Sequence, residues 1–282
     1  MRYTANTAIR SQSMPESPTQ PEFALLAPDD PPPFFVMHAE SRRPILLTCD
    51  HASCRIPDSL EHLGLDPFAR RCHLAIDIGA GSLTEFLADS LGATAVLAQY
   101  SRLVVDCNRD LMDPSAFLPF GDGIHVPGNA HLRQGQKEAR ADAIYRPYHA
   151  AIETEVERLL SYGKRPAFVS VHSFTPVLNG EARPWEIGVL WDKDETLRKA
   201  FLEGFRAEGY LVGDNEPYSG KAPADYTIDN HAETRDLPCV GIEIRQDLVR
   251  DAAGVIKIGT IMHRIIDGVA RGIEKGNERR TA

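Results

Sequence analysis

Long apolar runs are missing from this 282-residue chain. None approaches the roughly 18–20 residues that a membrane-crossing helix needs, so no membrane span is expected. A dense basic stripe is missing as well. Lys plus Arg number 31 against 40 for Asp plus Glu, a formal net charge of −9. Such an acidic chain lacks the electrostatic footprint of a general nucleic-acid binder. Cysteine is scarce and odd in number: Cys49, Cys54, Cys72, Cys107 and Cys239, with no CxxC pair. That argues against a disulfide framework and for the reduced thiols of a cytoplasmic protein. Arg2 and Arg10 are not followed by an apolar core and a small-residue cleavage site, so no secretory signal is expected. HExxH, P-loop and GxSxG patterns are also absent, and no short motif announces a chemistry. What remains is ordinary for a protein with a sizeable core: 43% hydrophobic and 25% charged residues.

Proline is concentrated rather than scarce. Residues 14–33 hold Pro15, Pro18, Pro21, Pro28, Pro31, Pro32 and Pro33. Proline removes backbone donors, so residues 1–33 are expected to be a flexible tail, with Phe23, Leu25, Phe34 and Phe35 able to dock on the body. Residues 34–282 are expected to be a single catalytic domain. There, short apolar runs alternate with helical patterns. Strands are expected at Pro44–Cys49, Ala93–Gln99, Leu103–Cys107, Ala167–Val171, Glu186–Trp191 and Cys239–Ile244. Helices are expected over 81–91, 134–162 (kinked at Pro147), 195–208 and 254–274, with a turn-rich polar segment at 211–238. This alternation predicts an α/β fold with a mostly parallel sheet covered on both faces.

Ligands of open α/β sheets bind beyond the carboxyl ends of the strands. Four apolar runs end in chemistry-bearing residues: Asp50-His51, Asn108-Arg109, His172, and Glu243 with Arg245 two positions on. Asp77 lies between two of these segments. Two imidazoles and a carboxylate make a three-ligand zinc site with one position open for water. A separate carboxylate can move the proton, and arginine forks beside an Asn amide bind a substrate carboxylate.

The stretches LLTCDHASCRIP (46–57), HLAIDIGAGSLTEFLA (73–88), YSRLVVDCNR (100–109), YRPYH (145–149), VSVHSFTP (169–176), DNEPYSG (214–220) and GIEIRQDL (241–248) resemble the N-formylglutamate amidohydrolase family. The resemblance implies a three-layer α/β/α fold with a mostly parallel mixed sheet, similar to the zinc carboxypeptidases. It implies hydrolysis of a small-molecule N-acyl amino acid, a formyl or similar short group on an acidic amino acid. It also implies roles: His51, Asp77 and His172 as ligands of Zn²⁺ or another divalent ion, Glu243 as general base, and Arg102, Asn108 and Arg109 at the substrate carboxylate, with Arg245 as a further anion contact. A carboxypeptidase-type HxxE is not present, because position 54 is Cys. Asp50 and His73 therefore stay alternatives to Asp77. Asp77 also has a plain reading as the N-cap of the 81–91 helix, and Arg102 one as a partner of Asp106. Tyr218, with Asn215 and Glu216, is a candidate to line the site and donate to a developing oxyanion, and His231 to touch substrate. The rival expectations are a deacylase or peptidase-like hydrolase of another carboxylate-bearing amide, and a non-catalytic carboxylate-binding protein.

Overall fold

The computed structural model describes residues 25–221, 223 and 225–281, with side chains described as far as Lys275. The chain runs through β1 (Phe34–Met37), β2 (Ile45–Cys49), α1 (Ala80–Leu91), β3 (Thr94–Ala98) and the hairpin β4–β5 (Phe120–Gly121, Ile124–His125). It continues through α2 (Gln134–Arg140), α3 (Arg146–Ser161), β6 (Ala167–Phe174) and the hairpin β7–β8 (Val177–Leu178, Glu181–Ala182). Then come β9 (Ile187–Leu190), α4 (Glu195–Ala207), β10 (Val212–Asp214), α5 (Tyr226–His231), β11 (Cys239–Arg245) and α6 (Ala252–Thr281).

Seven strands form one mixed sheet in the order β1-β3-β2-β6-β11-β9-β10. The four central strands β3, β2, β6 and β11 are parallel, β1 adds antiparallel at one edge, and β9 and β10 run opposite to β11 at the other. Their uninterrupted apolar runs fit burial on both faces. Leu47, Val169 and Val171 point into a core shared with α1, α4 and α6. Leu46, Val96 and Phe168 point into a second core under α3 and the irregular segments of 100–126. The result is the expected three-layer α/β/α architecture. No helix among the described residues is long and apolar enough to cross a membrane.

Several local expectations change. Leu103–Cys107 is not a strand: it is a buried series of turns, pinned where Asp106 N donates to Ala116 O and Asn129 Nδ2 to Leu103 O. Its apolar side chains are buried as core, not as sheet. The 134–162 helix carries a wide π turn at Ala141–Tyr145, just before Pro147, which lacks the N–H that a regular α ladder would use there. The polar segment 211–238 contains β10 and α5, both too short to show a period. Strand β1 also went unexpected. Most of the proline-rich stretch lies outside the described residues. Its described end packs on the body: Leu25 is buried, and Tyr100 Oη donates to Pro31 O at 2.7 Å.

The turn into α1 depends on Gly79, whose φ is +84° and whose place a Cβ would fill by colliding with the Val249 carbonyl oxygen. Gly79→Ala is therefore expected to cost about 2–4 kcal/mol of unfolding free energy in urea denaturation. A loss below about 0.5 kcal/mol would show that the turn relaxes freely.

Candidate active site

Burial of three parallel strand ends side by side brings distant residues together. Glu243 on β11 sits in register with His172 on β6, and His51 follows the end of the neighbouring β2. Asp77 arrives from the segment before α1. It does not cap that helix, whose first position follows Gly79; only its backbone oxygen is used, by Ala80 N at 3.0 Å.

The Asp77 carboxylate instead faces two imidazoles. His172 Nδ1 lies 2.9 Å and His51 Nδ1 3.2 Å from the same oxygen, Asp77 Oδ2. The far nitrogen of each ring is held by another carboxylate: His51 Nε2 is 2.8 Å from Asp106 Oδ1, and His172 Nε2 is 3.2 Å from Asp50 Oδ2. An imidazole that holds a metal through Nδ1 keeps its proton on the far nitrogen, and Asp106 and Asp50 stand where that tautomer needs an acceptor. Three electron-pair donors then converge within 4.8 Å of one another, all on buried residues. Neutral rings in that arrangement repel Asp77 unless a cation lies among them, so the donor set fits a divalent ion of mixed N/O preference. Asp50 is taken up behind His172, where Tyr148 Oη and Thr227 Oγ1 each donate to it at 2.7 Å. His73 faces Asp122 instead, at 3.0 Å. Neither alternative to Asp77 joins the cluster.

Buried charges at this density move their proton affinities. Burial works against the charged forms of His51 and His172, but Asp106, Asp77 and Asp50 outweigh it and raise both rings above the usual imidazole value. Burial likewise opposes Asp77, yet the two imidazoles hold it well below the usual carboxylate range. Glu243 goes the other way: burial, the largest cause, lifts it to about 7. Among the described residues its Oε2 has no hydrogen-bond partner. Arg102 is tied to Asp106, with Nη2 donating at 2.7 Å, and reaches Asp77 with Nη1 at 3.4 Å. Burial pushes the Cys49 thiol up to about 12 and Cys107 well above its ordinary value, which disfavours either as a nucleophile.

These groups open on a cavity of about 630 Å³ that is also lined by Asn108, Arg109, Tyr218, Asp225 and Gln246. Asn108 Oδ1 accepts from Thr227 N at 2.9 Å, which leaves its NH₂ for the cavity. Four sequence candidates lie elsewhere. Arg245 shares the Glu243 face of β11 but sits at the strand's last position and turns to Asp247, with Nε donating at 2.7 Å, while Nη1 donates to the Pro184 and Trp185 carbonyls at 3.3 Å. His231 is buried on α5, stacked on His149, with its Nε2 2.9 Å from His149 Nδ1 and its Nδ1 3.3 Å from Glu153 Oε2. Asn215 Oδ1 accepts from Trp191 N and Gly220 N and so shapes its loop, while Glu216 is outside the lining. The sequence reading named Asp106 only as a partner of Arg102, a pairing the structure contains; it missed the place of Asp106 behind His51 and the buried Asp225 at the N-cap of α5.

The His149–His231 pair yields a pH test away from the cavity. Burial, assisted by the neighbouring His231, lowers His149 to about 4. The unfolded chain therefore binds a proton that the folded one refuses, so stability is fully present above about pH 6.5 and declines as pH falls toward 4. The stability advantage of wild type over His149→Gln is expected to shrink across that window in denaturant titrations; an advantage independent of pH would contradict it.

A family model described as N-formylglutamate amidohydrolase matches residues 43–250 of the chain. The N-formylglutamate deformylase of Pseudomonas putida is 30% identical over 130 residues, covering 43% of this chain and 48% of that protein. The match thus spans about half the length of this curated relative. Among solved structures, a gene product of Agrobacterium tumefaciens is 33% identical with a TM-score of 0.85, over 89% of this chain and 99% of that one. The N-formylglutamate amidohydrolase of Ralstonia eutropha shares the fold, with a TM-score of 0.64 at 19% identity over 86% and 99% of the two chains.

Proposed function

From the premise that the chain belongs to the N-formylglutamate amidohydrolase family, we propose that it hydrolyses the amide of an N-formyl or similar short N-acyl group on an acidic amino acid, N-formylglutamate above all. The observation that carries this reading is the convergence of His51 Nδ1, His172 Nδ1 and Asp77 Oδ2 beside the buried Glu243, whose Oε2 has no hydrogen-bond partner among the described residues. His51, Asp77 and His172 would hold the metal, and zinc suits two imidazoles with one carboxylate. When bound, zinc supplies a Lewis acid for the amide carbonyl and lowers the proton affinity of water.

The remaining steps belong to the protein. Glu243 takes the proton of the attacking water at its carboxylate and delivers it to the departing nitrogen, because burial has raised its proton affinity to near neutrality. Asp106 and Asp50 keep the imidazoles oriented throughout. Arg102, Arg109 and the Asn108 amide clamp the substrate carboxylate, and the Asp106 and Asp77 contacts fix Arg102 before substrate arrives. Tyr218 Oη is positioned at the cavity wall as a donor to the oxygen on which charge develops.

Purified protein is expected to bind about one metal per chain, and His172→Ala to lose metal and turnover together, as read by elemental analysis and hydrolysis of formyl- and acetyl-amino acids. Glu243→Gln is expected to keep metal while turnover falls by roughly 10²–10⁴-fold. Full activity in Glu243→Gln would remove it as the base. Metal-loaded protein inactive on every formyl- and acetyl-amino acid would transfer the site to another carboxylate-bearing amide.

A further inference from the structure

Arg102 is committed to Asp106 and Asp77, and Arg245 to Asp247. Arg183, immediately after the β7–β8 hairpin, is different. Its guanidinium lies over the Tyr218 ring, 4.7 Å from the centroid, and 5.7 Å from that of Phe174. Its Nη1 donates to Tyr218 Oη at 2.6 Å. Among the described residues no carboxylate pairs with it. Phe174 and Tyr218 both line the cavity. The charge also reaches the cavity wall at His73, whose proton affinity is lowered by burial first and then by Arg102 and Arg183, against the pull of Asp122.

The hairpin that carries Arg183 is anchored. Arg183 N donates to Pro176 O at 2.9 Å, and Asn179 N donates to Asp122 Oδ1 at 2.8 Å. The guanidinium is thus held by stacking and by its backbone, with donors left over. The inner cavity carries acids and cations that largely balance one another: Asp77 and Asp106 line it with Arg102, His51 and His172. A substrate with two carboxylates can place one at Arg102, Asn108 and Arg109, and the other, extending away from them, calls for a cation that no carboxylate already balances. A planar fork on an aromatic platform is suited to that contact.

We propose that Arg183, placed by its stacking on Tyr218, is a specificity-determining residue that binds the side-chain carboxylate of an acidic N-acyl amino acid. This rests on the reading of the cavity as an N-acyl amino-acid site. The test compares N-formyl-L-glutamate with N-formyl-L-glutamine, which are near-isosteric and differ in that one charge. In Arg183→Met, the ratio of kcat/KM for the two falls by about 10–100-fold, chiefly through KM, and Arg183→Lys recovers part of it. Calorimetric binding of L-glutamate against L-glutamine to the zinc-loaded full chain supplies a readout independent of turnover, with glutamate losing affinity in Arg183→Met. An unchanged ratio together with unchanged glutamate affinity overturns the role of Arg183. Wild type that hydrolyses neither substrate but binds glutamate through Arg183 overturns the proposed reaction and upholds the carboxylate site. Wild type that neither hydrolyses the substrates nor binds glutamate overturns both.

Discussion

Two imidazole nitrogens and one carboxylate oxygen point at the same small volume, and the rest of the molecule is arranged around the electrostatic problem that this creates. Lone pairs of His51, His172 and Asp77 at such separations repel one another in a medium from which water is largely excluded. A divalent cation, or protons on the rings, must balance them. Asp106 and Asp50 stand behind the two rings, Tyr148 and Thr227 stand behind Asp50, and Arg102 bridges Asp106 to Asp77. Each of these buried charges has a partner among the described residues, as burial requires. Glu243 differs, since its Oε2 has no hydrogen-bond partner among the described residues, and its raised proton affinity is what a proton carrier near neutral pH needs.

The sheet makes this assembly possible at little conformational cost. Parallel strands β2, β6 and β11 deliver His51, His172 and Glu243 to one rim, and the strand register sets the Glu243–His172 separation. Opposite them, the turn through Gly79 admits close approach of the Val249 backbone and so seats the segment that presents Asp77. Gly188, across from Glu243 on β9, leaves room for the Glu216 carbonyl, which a Cβ there would meet at 2.6 Å. The apolar cores on both faces hold these backbones still, so the polar groups are oriented before any ligand arrives.

Much of this was legible in the residues. Runs such as ILLTC and AFVSV are apolar throughout because parallel strands are covered on both sides, and helices with a clear three- to four-residue period were found within two positions of their starts, although α6 runs on to Thr281, seven residues past its expected end. Chemistry-bearing residues at the ends of apolar runs marked His51, His172, Asn108 and Glu243. The readings that changed share one cause. LVVDC is as apolar as a strand, but its apolar character reflects core burial in turns; β1, β10 and α5 are too short for a period to show. Arg245 and His231 had the right residue types near the right segments, but Asp247 with the Pro184 and Trp185 carbonyls holds the first, and packing against His149 on the buried face of α5 holds the second.

The sequence by itself determined the α/β class, the layered order of elements and the family resemblance, because periodicity and local motifs are properties of neighbouring residues. Tertiary structure alone decided that Asp77 joins the histidines instead of capping a helix, that Asp50 and Asp106 serve as orienting carboxylates, and that Arg183 stands at the rim without a carboxylate partner among the described residues. Those outcomes depend on pairings across 25 to 180 positions of chain, such as Thr227 with Asp50 at a separation of 177, and on which buried charges find partners once water is excluded.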